Sequence, residues 1–334
     1  MNENMMQAIV VRESGKRGDW NVLALEQVPS PQIAPGEVLV QVEACSVNRA
    51  DLLQRRGLYP PPPGASSIMG LDFAGFIVET APDVADWGVG DRVFGIVAGG
   101  GYGRLVAVAS CHLVPVPEQL SFVEAAAAAE VFFTAFTNLF LEGHMQRGER
   151  LLIHGGASGV GTAAIQLARE NGIETIISAS TPEKIARCLE LGAALGINYK
   201  DEDTFARVLE WTRGEGVDVV LDWMGASHLA GNLDVLRSRG RLIVIGLMGG
   251  NKGEIHMAPL LAKRLRIIGS ILRSQSLEEK AGITAAFTQR VLPLLQSGRV
   301  HAVIDSIFPV HAVEEAHQMM RQGRHFGKIL LTWN

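Results

Sequence analysis

Cysteine is scarce in this sequence: Cys45, Cys111 and Cys188 are the only three in 334 residues, scattered and without CxxC spacing. That spacing excludes a disulfide framework and a thiolate zinc knot, and leaves isolated small apolar residues in a reducing compartment as the plain reading. Charge is sparse as well, at 19% of residues, with 30 basic against 35 acidic side chains and no long block of one sign. Electrostatic capture of nucleic acid or of an anionic membrane is therefore not expected as the main activity. The N-terminal stretch "MNENMMQAIVVRES" has no basic region followed by a sustained apolar run, and no later segment reads as apolar for long enough to cross a bilayer. The expectation is a soluble, cytoplasmic protein with neither a nucleic-acid nor a membrane partner.

Apolar residues, by contrast, make up 47% of the chain, and 334 residues are more than one core usually holds. Two domains are expected. From about Gln7 to the alanine run Ala125 to Ala129, short β-type runs such as "GEVLVQVEA", "FAGFIVE" and "DRVFGIV" are separated by turn residues. This reads as a compact, mainly antiparallel, barrel-like domain. From Glu130 the rhythm changes: "RLLIHG", "TIISAS", "VDVVLD", "RLIVIG" and "LRIIGSIL" alternate with helical periods, which reads as a doubly wound parallel sheet. The last stretch, a helix-like "EEKAGITAAFTQRVLPLLQSG" followed by strand, helix and strand, is placed to return to the first domain and close it.

Where the first strand of the alternating half hands over to a helix, "LLIHGGASGVGTAAIQLA" crosses four glycines within seven residues. A dinucleotide-binding turn needs that setting: one glycine for a tight turn, one for backbone approach to a pyrophosphate, and a small residue where helix packs on strand. Two registers fit, Gly159, Gly161 and Ala164, or Gly156 to Gly161 with Ser158 in the middle place. Either puts unpaired N–H groups and the positive end of a helix dipole at the phosphates. A P-loop is excluded because no Gly-Lys-Ser/Thr closes the loop, and a hydrolase elbow because Val160 stands where its last glycine belongs. At the end of the second strand, near Ser180, no acid is present to bind a ribose 2′-hydroxyl, whereas Ser180 and Thr181 can hydrogen-bond a 2′-phosphate and Lys184 can neutralise it. NADPH is expected over NADH.

On "HGGASGVGTAAIQLA", "GGGYGRLVAV", "LGINYK", "LRIIGSILRS" and "SVNRADLLQRRGLYPPPPGAS", the sequence resembles the medium-chain dehydrogenase/reductases, and among them their zinc-free quinone oxidoreductase branch. The resemblance implies a GroES-like β-barrel catalytic domain over 1–128 and 273–334, and a doubly wound Rossmann domain that binds NADPH over 129–272. It also implies what is missing, since Asn48 and Leu71 stand where zinc-dependent relatives carry ligands, and neither holds zinc. No metal is expected. Carried over residue by residue, the similarity implies that Thr134 contacts the nicotinamide or its phosphate and that Ser158, Gly159, Val160 and Gly161 cradle the pyrophosphate. It sets Tyr199 against the adenosine end, with Leu247, Met248, Ile271 and Leu272 offering backbone to the nicotinamide ribose and carboxamide.

Asn48 and Tyr59 are the polar groups it puts at the acceptor, an amide N–H and a hydroxyl for the oxygen that gains charge. The expected activity is NADPH-dependent reduction of a small quinone. Reduction of an enone or enoyl thioester is an alternative, and a non-enzymatic NADPH-binding role is another. A homodimer is implied as well, through edge pairing of "RLRIIGSIL".

Overall fold

The computed structural model describes residues 5–12 and 15–333, in two compact units. One unit holds the described residues up to Phe133 and from Leu272 onward; the other is Thr134–Ile271. The first divide lies inside a helix, five residues beyond the expected boundary at residue 128, because Phe122–Phe136 is one continuous α-helix.

In the first unit, Met5–Arg12 and Val22–Pro29 form an antiparallel pair. A larger sheet runs, in spatial order, Ile304–Pro309, Lys328–Thr332, Glu37–Val47, Asp72–Thr80, Arg92–Ile96 and Leu113–Pro115, with Leu105–Ala109 also paired to Glu37–Val47. Apart from the parallel pair formed by the last two strands of the chain, these ladders are antiparallel. Glu37–Val47 is central: its first half pairs Leu105–Ala109 while its second half, on the same edge, pairs Lys328–Thr332. The C-terminal segment thus completes the sheet begun by the N-terminal one. Ile9, Val40, Phe73, Ile77, Ile329 and Leu331 belong to the core this encloses.

The second unit is a six-stranded, all-parallel sheet in the spatial order Leu195–Asn198, Glu174–Ala179, Arg150–Ile153, Val217–Asp222, Leu236–Val244, Arg266–Gly269. In chain order the strands read third, second, first, fourth, fifth, sixth, the doubly wound dinucleotide-binding order. The inner strands are apolar along their length because both faces are covered, as Val217–Asp222, buried at every position, shows. Local chemistry starts the helices: Ser158 caps Gly159–Glu170, Thr181 caps Pro182–Glu190 with a proline in the first turn, and Asp203 caps Thr204–Trp211.

One expectation needs correction. The helical stretch Phe122–Glu142, whose last six residues continue with π-type bonding, is long and apolar enough to cross a membrane by length and composition. The sequence reading took no segment to be so. Of its most apolar window 78% is buried inside the protein, which is how the core helix of a globular fold looks.

Candidate active site

Because the sheet of the second unit is all parallel, residues that follow its strands collect at one edge. Ser158 follows the first strand, Ser180 the second, Tyr199 the third, Leu247 and Met248 the fifth, and Ile271 the sixth. That edge, at the carboxyl ends and where the strand order reverses, is where open α/β sheets bind ligands.

The glycine turn settles between its two registers. A Cβ on Gly161 would fall 2.6 Å from the Gly156 carbonyl oxygen, and a Cβ on Gly156 would fall 2.7 Å from the Ile177 Cβ. Gly156 is therefore bare because it packs against Ile177 of the second strand and Gly161 because it lets the helix close on the loop, with Ser158 between them, while Gly155 takes the left-handed turn at φ +63°. The Ser158 Oγ accepts from the Gly161 N–H at 3.0 Å. The N–H groups of Gly159 and Val160, in the first helical turn, have no intrahelical acceptor, so they are the donors left for an anion. A pyridine nucleotide's pyrophosphate fits this bare cradle. Below the loop, the His154 ring is buried, its Nε2 is 2.7 Å from the Asn232 Oδ1, and burial holds its pKa down, so it acts as neutral packing.

At the second strand's end the Thr181 hydroxyl caps its own helix, accepting from the Lys184 N–H at 3.3 Å and bonding the Glu183 carboxylate, which the helix N-terminus holds below its ordinary pKa. Ser180 and Lys184 lie beside this cap, at the end of the second strand. Tyr199 is half exposed and tied to this corner by its N–H, which donates to the Ala179 carbonyl at 3.2 Å. Leu247 and Met248 are likewise exposed, on a turn held by the Met248 N–H to the Trp223 carbonyl at 2.9 Å. Ile271 is exposed and ends this unit, whereas Leu272 opens the last segment of the other. Thr134 is half-buried, on the helix Phe122–Phe136 rather than at the strand ends, and its carbonyl accepts from the Asn138 amide.

In the first unit, Asn48 caps the short helix Arg49–Arg55 and is buried at 6% exposure. Its Nδ2 donates to Asp72 Oδ2 at 2.8 Å, and its Oδ1 accepts from the Lys328 Nζ at 2.6 Å. Both ends of the amide therefore have partners inside the unit, with Nδ2 also 3.4 Å from the Ser46 carbonyl and hydroxyl oxygens, and Asn48 belongs to a buried polar cluster that no single stretch of sequence reveals. Asp72 also takes the Ser46 N–H at 2.6 Å and the Ser46 hydroxyl. Burial pushes the Asp72 carboxyl up, with Lys328, Ser46 and Asn48 pulling it back.

Asp51 belongs to the same cluster. Its Oδ2 accepts from the Asn48 N–H at 2.8 Å and from the Tyr102 hydroxyl at 3.1 Å, while its Oδ1 is buried without a partner. Burial pushes its carboxyl up to about 7. The Tyr102 hydroxyl also meets His317 Nε2 at 3.0 Å, and burial pushes that imidazole down to about 3.

Tyr59 lies on the loop after that helix, half-buried, and burial raises its phenol pKa, so it holds its proton at neutral pH. Beside it is a residue the sequence reading missed, Arg273, whose guanidinium carbon is 4.9 Å from the Tyr59 ring centroid. An arginine 214 residues away in the chain carries no local signal of that contact.

Among the described residues no group of three or more His, Cys, Asp or Glu is placed to hold a metal ion. A barrel-like unit with a GroES-like strand plan, joined in one chain to a doubly wound dinucleotide-binding unit, defines the medium-chain dehydrogenase/reductase class. Comparison with known proteins agrees: residues 34–118 match the alcohol dehydrogenase GroES-like domain, and residues 159–289 match the zinc-binding dehydrogenase domain. The quinone oxidoreductase of Rattus norvegicus is 33% identical over 334 residues, 98% of each chain. Among solved structures, the quinone oxidoreductase of Pseudomonas syringae superposes with a TM-score of 0.86 at 27% identity, over 98% of this chain and 99% of that one. The Escherichia coli quinone oxidoreductase complexed with NADPH gives 0.85 at 25% identity, over 98% and 99%. The chain belongs to the quinone oxidoreductase family, an oxidoreductase family with a pyridine-nucleotide-binding fold.

Proposed function

We propose that this protein is an NADPH-dependent reductase of small quinones that works without a metal. The observation that carries the reading is full-length kinship to quinone oxidoreductases. Ser180 and Lys184, at a strand end without an acidic side chain at position 180, support NADPH over NADH, since a 2′-phosphate needs a hydroxyl donor and a cation there. When bound, a reduced nicotinamide supplies the hydride. The chain's own part is to hold the pyrophosphate at Gly159 and Val160 and to offer a hydroxyl, from Tyr59, to the acceptor oxygen that gains charge. Lys328 and Asp72 hold Asn48 and with it the start of the helix that leads to the Tyr59 loop.

We further infer a homodimer built on the edge strand Arg266–Gly269, which has a neighbour on one side only and exposes Ile267. Stopped-flow oxidation of NADPH and NADH against a small quinone panel tests the activity. Faster turnover with NADPH, a preference lost in Lys184→Ala, is the expected result. NADPH that binds but is not oxidised by any quinone would overturn it.

A further inference from the structure

We propose that Arg273 is the positioning residue for Tyr59, holding the tyrosine loop by its backbone and setting the ring with a guanidinium laid against its face. The proposal rests on the reading of the protein as a reductase whose acceptor meets Tyr59.

Arg273 is 7% exposed and donates from each of its three guanidinium nitrogens. Nε donates to the Ala98 carbonyl at 2.7 Å, Nη1 to the Tyr59 carbonyl at 3.1 Å, and Nη2 to the Gln54 Oε1 at 2.7 Å. One planar group therefore ties the helix Arg49–Arg55, the loop that follows it, and the segment after the strand Arg92–Ile96. Its own backbone is fixed in turn, because the Lys280 Nζ donates to the Arg273 carbonyl at 2.8 Å.

The cation itself needs explaining. Burying a guanidinium is costly unless it is paired, and among the described residues no carboxylate is in ion-pair contact with Arg273, Asp51 favouring its charge only from a distance. Its partners are three neutral oxygens and the face of one ring. A pin that only joined loops would need hydrogen-bond donors and no charge. A charge 4.9 Å from the Tyr59 ring adds something else, since it favours negative charge on the phenol oxygen while Glu130 and burial oppose it. The Tyr59 hydroxyl is thereby kept protonated yet made a better donor than burial alone would leave it.

Two readouts test this on the full chain. The sequence has three tyrosines, Tyr59, Tyr102 and Tyr199, so uniform fluorotyrosine labelling gives three fluorine resonances, with that of Tyr59 identified by its loss in Tyr59→Phe. In Arg273→Lys, which keeps the charge and loses the fork, the Tyr59 resonance should shift while the other two stay. In Arg273→Gln its titration should move to higher pH. Gln54→Met, which releases one arm of the fork, gives the same shift in milder form and serves if the arginine variants fold poorly.

The second readout is kinetic. Arg273→Lys should lower kcat/KM for the quinone by about ten- to a hundredfold, the scale of a small misplacement of a reacting group. NADPH binding, read by nicotinamide fluorescence, should not change, and the substitution should cost little more once Tyr59 is Phe. A Tyr59 resonance that neither shifts nor changes its titration overturns the proposal, as does an equal kinetic loss with and without the Tyr59 hydroxyl. If the wild type oxidises no NADPH with any quinone, the reductase reading falls, and the fluorine spectra still decide Arg273.

Discussion

The Nζ of Lys328 lies 2.6 Å from the Oδ1 of Asn48, a contact between residues 280 apart in the chain. It fixes which way the amide faces, because a cation can meet only its oxygen, and the opposite end then donates to Asp72. A strand close to the C-terminus thus sets the start of a helix close to the N-terminus.

Removing that cation should be expensive. Lys328→Met removes the cation that draws the buried Asp72 carboxyl back towards its charged form and the donor to the Asn48 Oδ1, and a loss of about 1–3 kcal/mol is expected for leaving buried polar groups uncompensated. Urea unfolding followed by circular dichroism measures it. Adding Asp72→Asn should restore much of the loss, and a double variant no more stable than Lys328→Met would show that charge is not the cause.

Asp51 and His317 should produce opposite pH dependences that mask one another. The Asp51 carboxyl has a folded pKa of about 7, above its unfolded value, so the stability it contributes is full at low pH and is lost as pH rises through 7. The His317 imidazole has a folded pKa of about 3, below its unfolded value, so its contribution is full above 6.5 and is lost as pH falls towards 3. Between about pH 4 and pH 6.5 the two slopes oppose one another. Asp51→Asn should therefore make the protein lose stability on acidification across that window, and His317→Gln should make it lose stability as pH rises. Melting temperatures in a series of buffers check both, and parallel profiles for the two variants would contradict the assignment.

Gly161→Ala tests the cradle. The new Cβ would meet backbone oxygens of the loop at 2.6 and 2.8 Å, which only a shift of loop or helix can relieve. Overpacking of this kind costs about 1–3 kcal/mol, and the displaced loop should bind NADPH more weakly. Fluorescence titration and thermal unfolding read the two effects. Unchanged affinity would mean that the loop is not where the phosphates sit.

Ile267→Asp tests assembly. The wild type should sediment at twice the 35.9 kDa of one chain, and a charge on the exposed face of the edge strand should shift it towards 35.9 kDa. A wild type already at the single-chain mass would end the dimer reading.

Much of this architecture is legible in the sequence, for physical reasons. A parallel sheet buries both faces, so its strands appear as unbroken apolar runs such as "VDVVLD", and a strand-to-helix turn around a phosphate announces itself in glycines. What is hidden is long-range pairing. Asn48, Asp72, Tyr102, His317 and Lys328 carry no shared local pattern, and only the folded sheet brings them into one cluster. Asn48 therefore reads from the resemblance as an amide for the acceptor oxygen, and its contacts with Asp72 and Lys328 emerge only in the structure. The same limit hid Arg273 beside Tyr59, and the collisions a Cβ would meet at Gly156 and Gly161 appear only once the glycine turn is folded.

The strand Lys328–Thr332 lies between Ile304–Pro309 and Glu37–Val47, and it carries the ammonium on which Asn48 depends. On a translating ribosome, the first unit therefore lacks two of its strands until residues 304–332 have been made. The nucleotide-binding unit is one uninterrupted stretch, Thr134–Ile271, and has all its strands earlier. For that interval the half-made sheet exposes an apolar edge along Ala44 to Val47, the part of the nascent chain with most to gain from a chaperone.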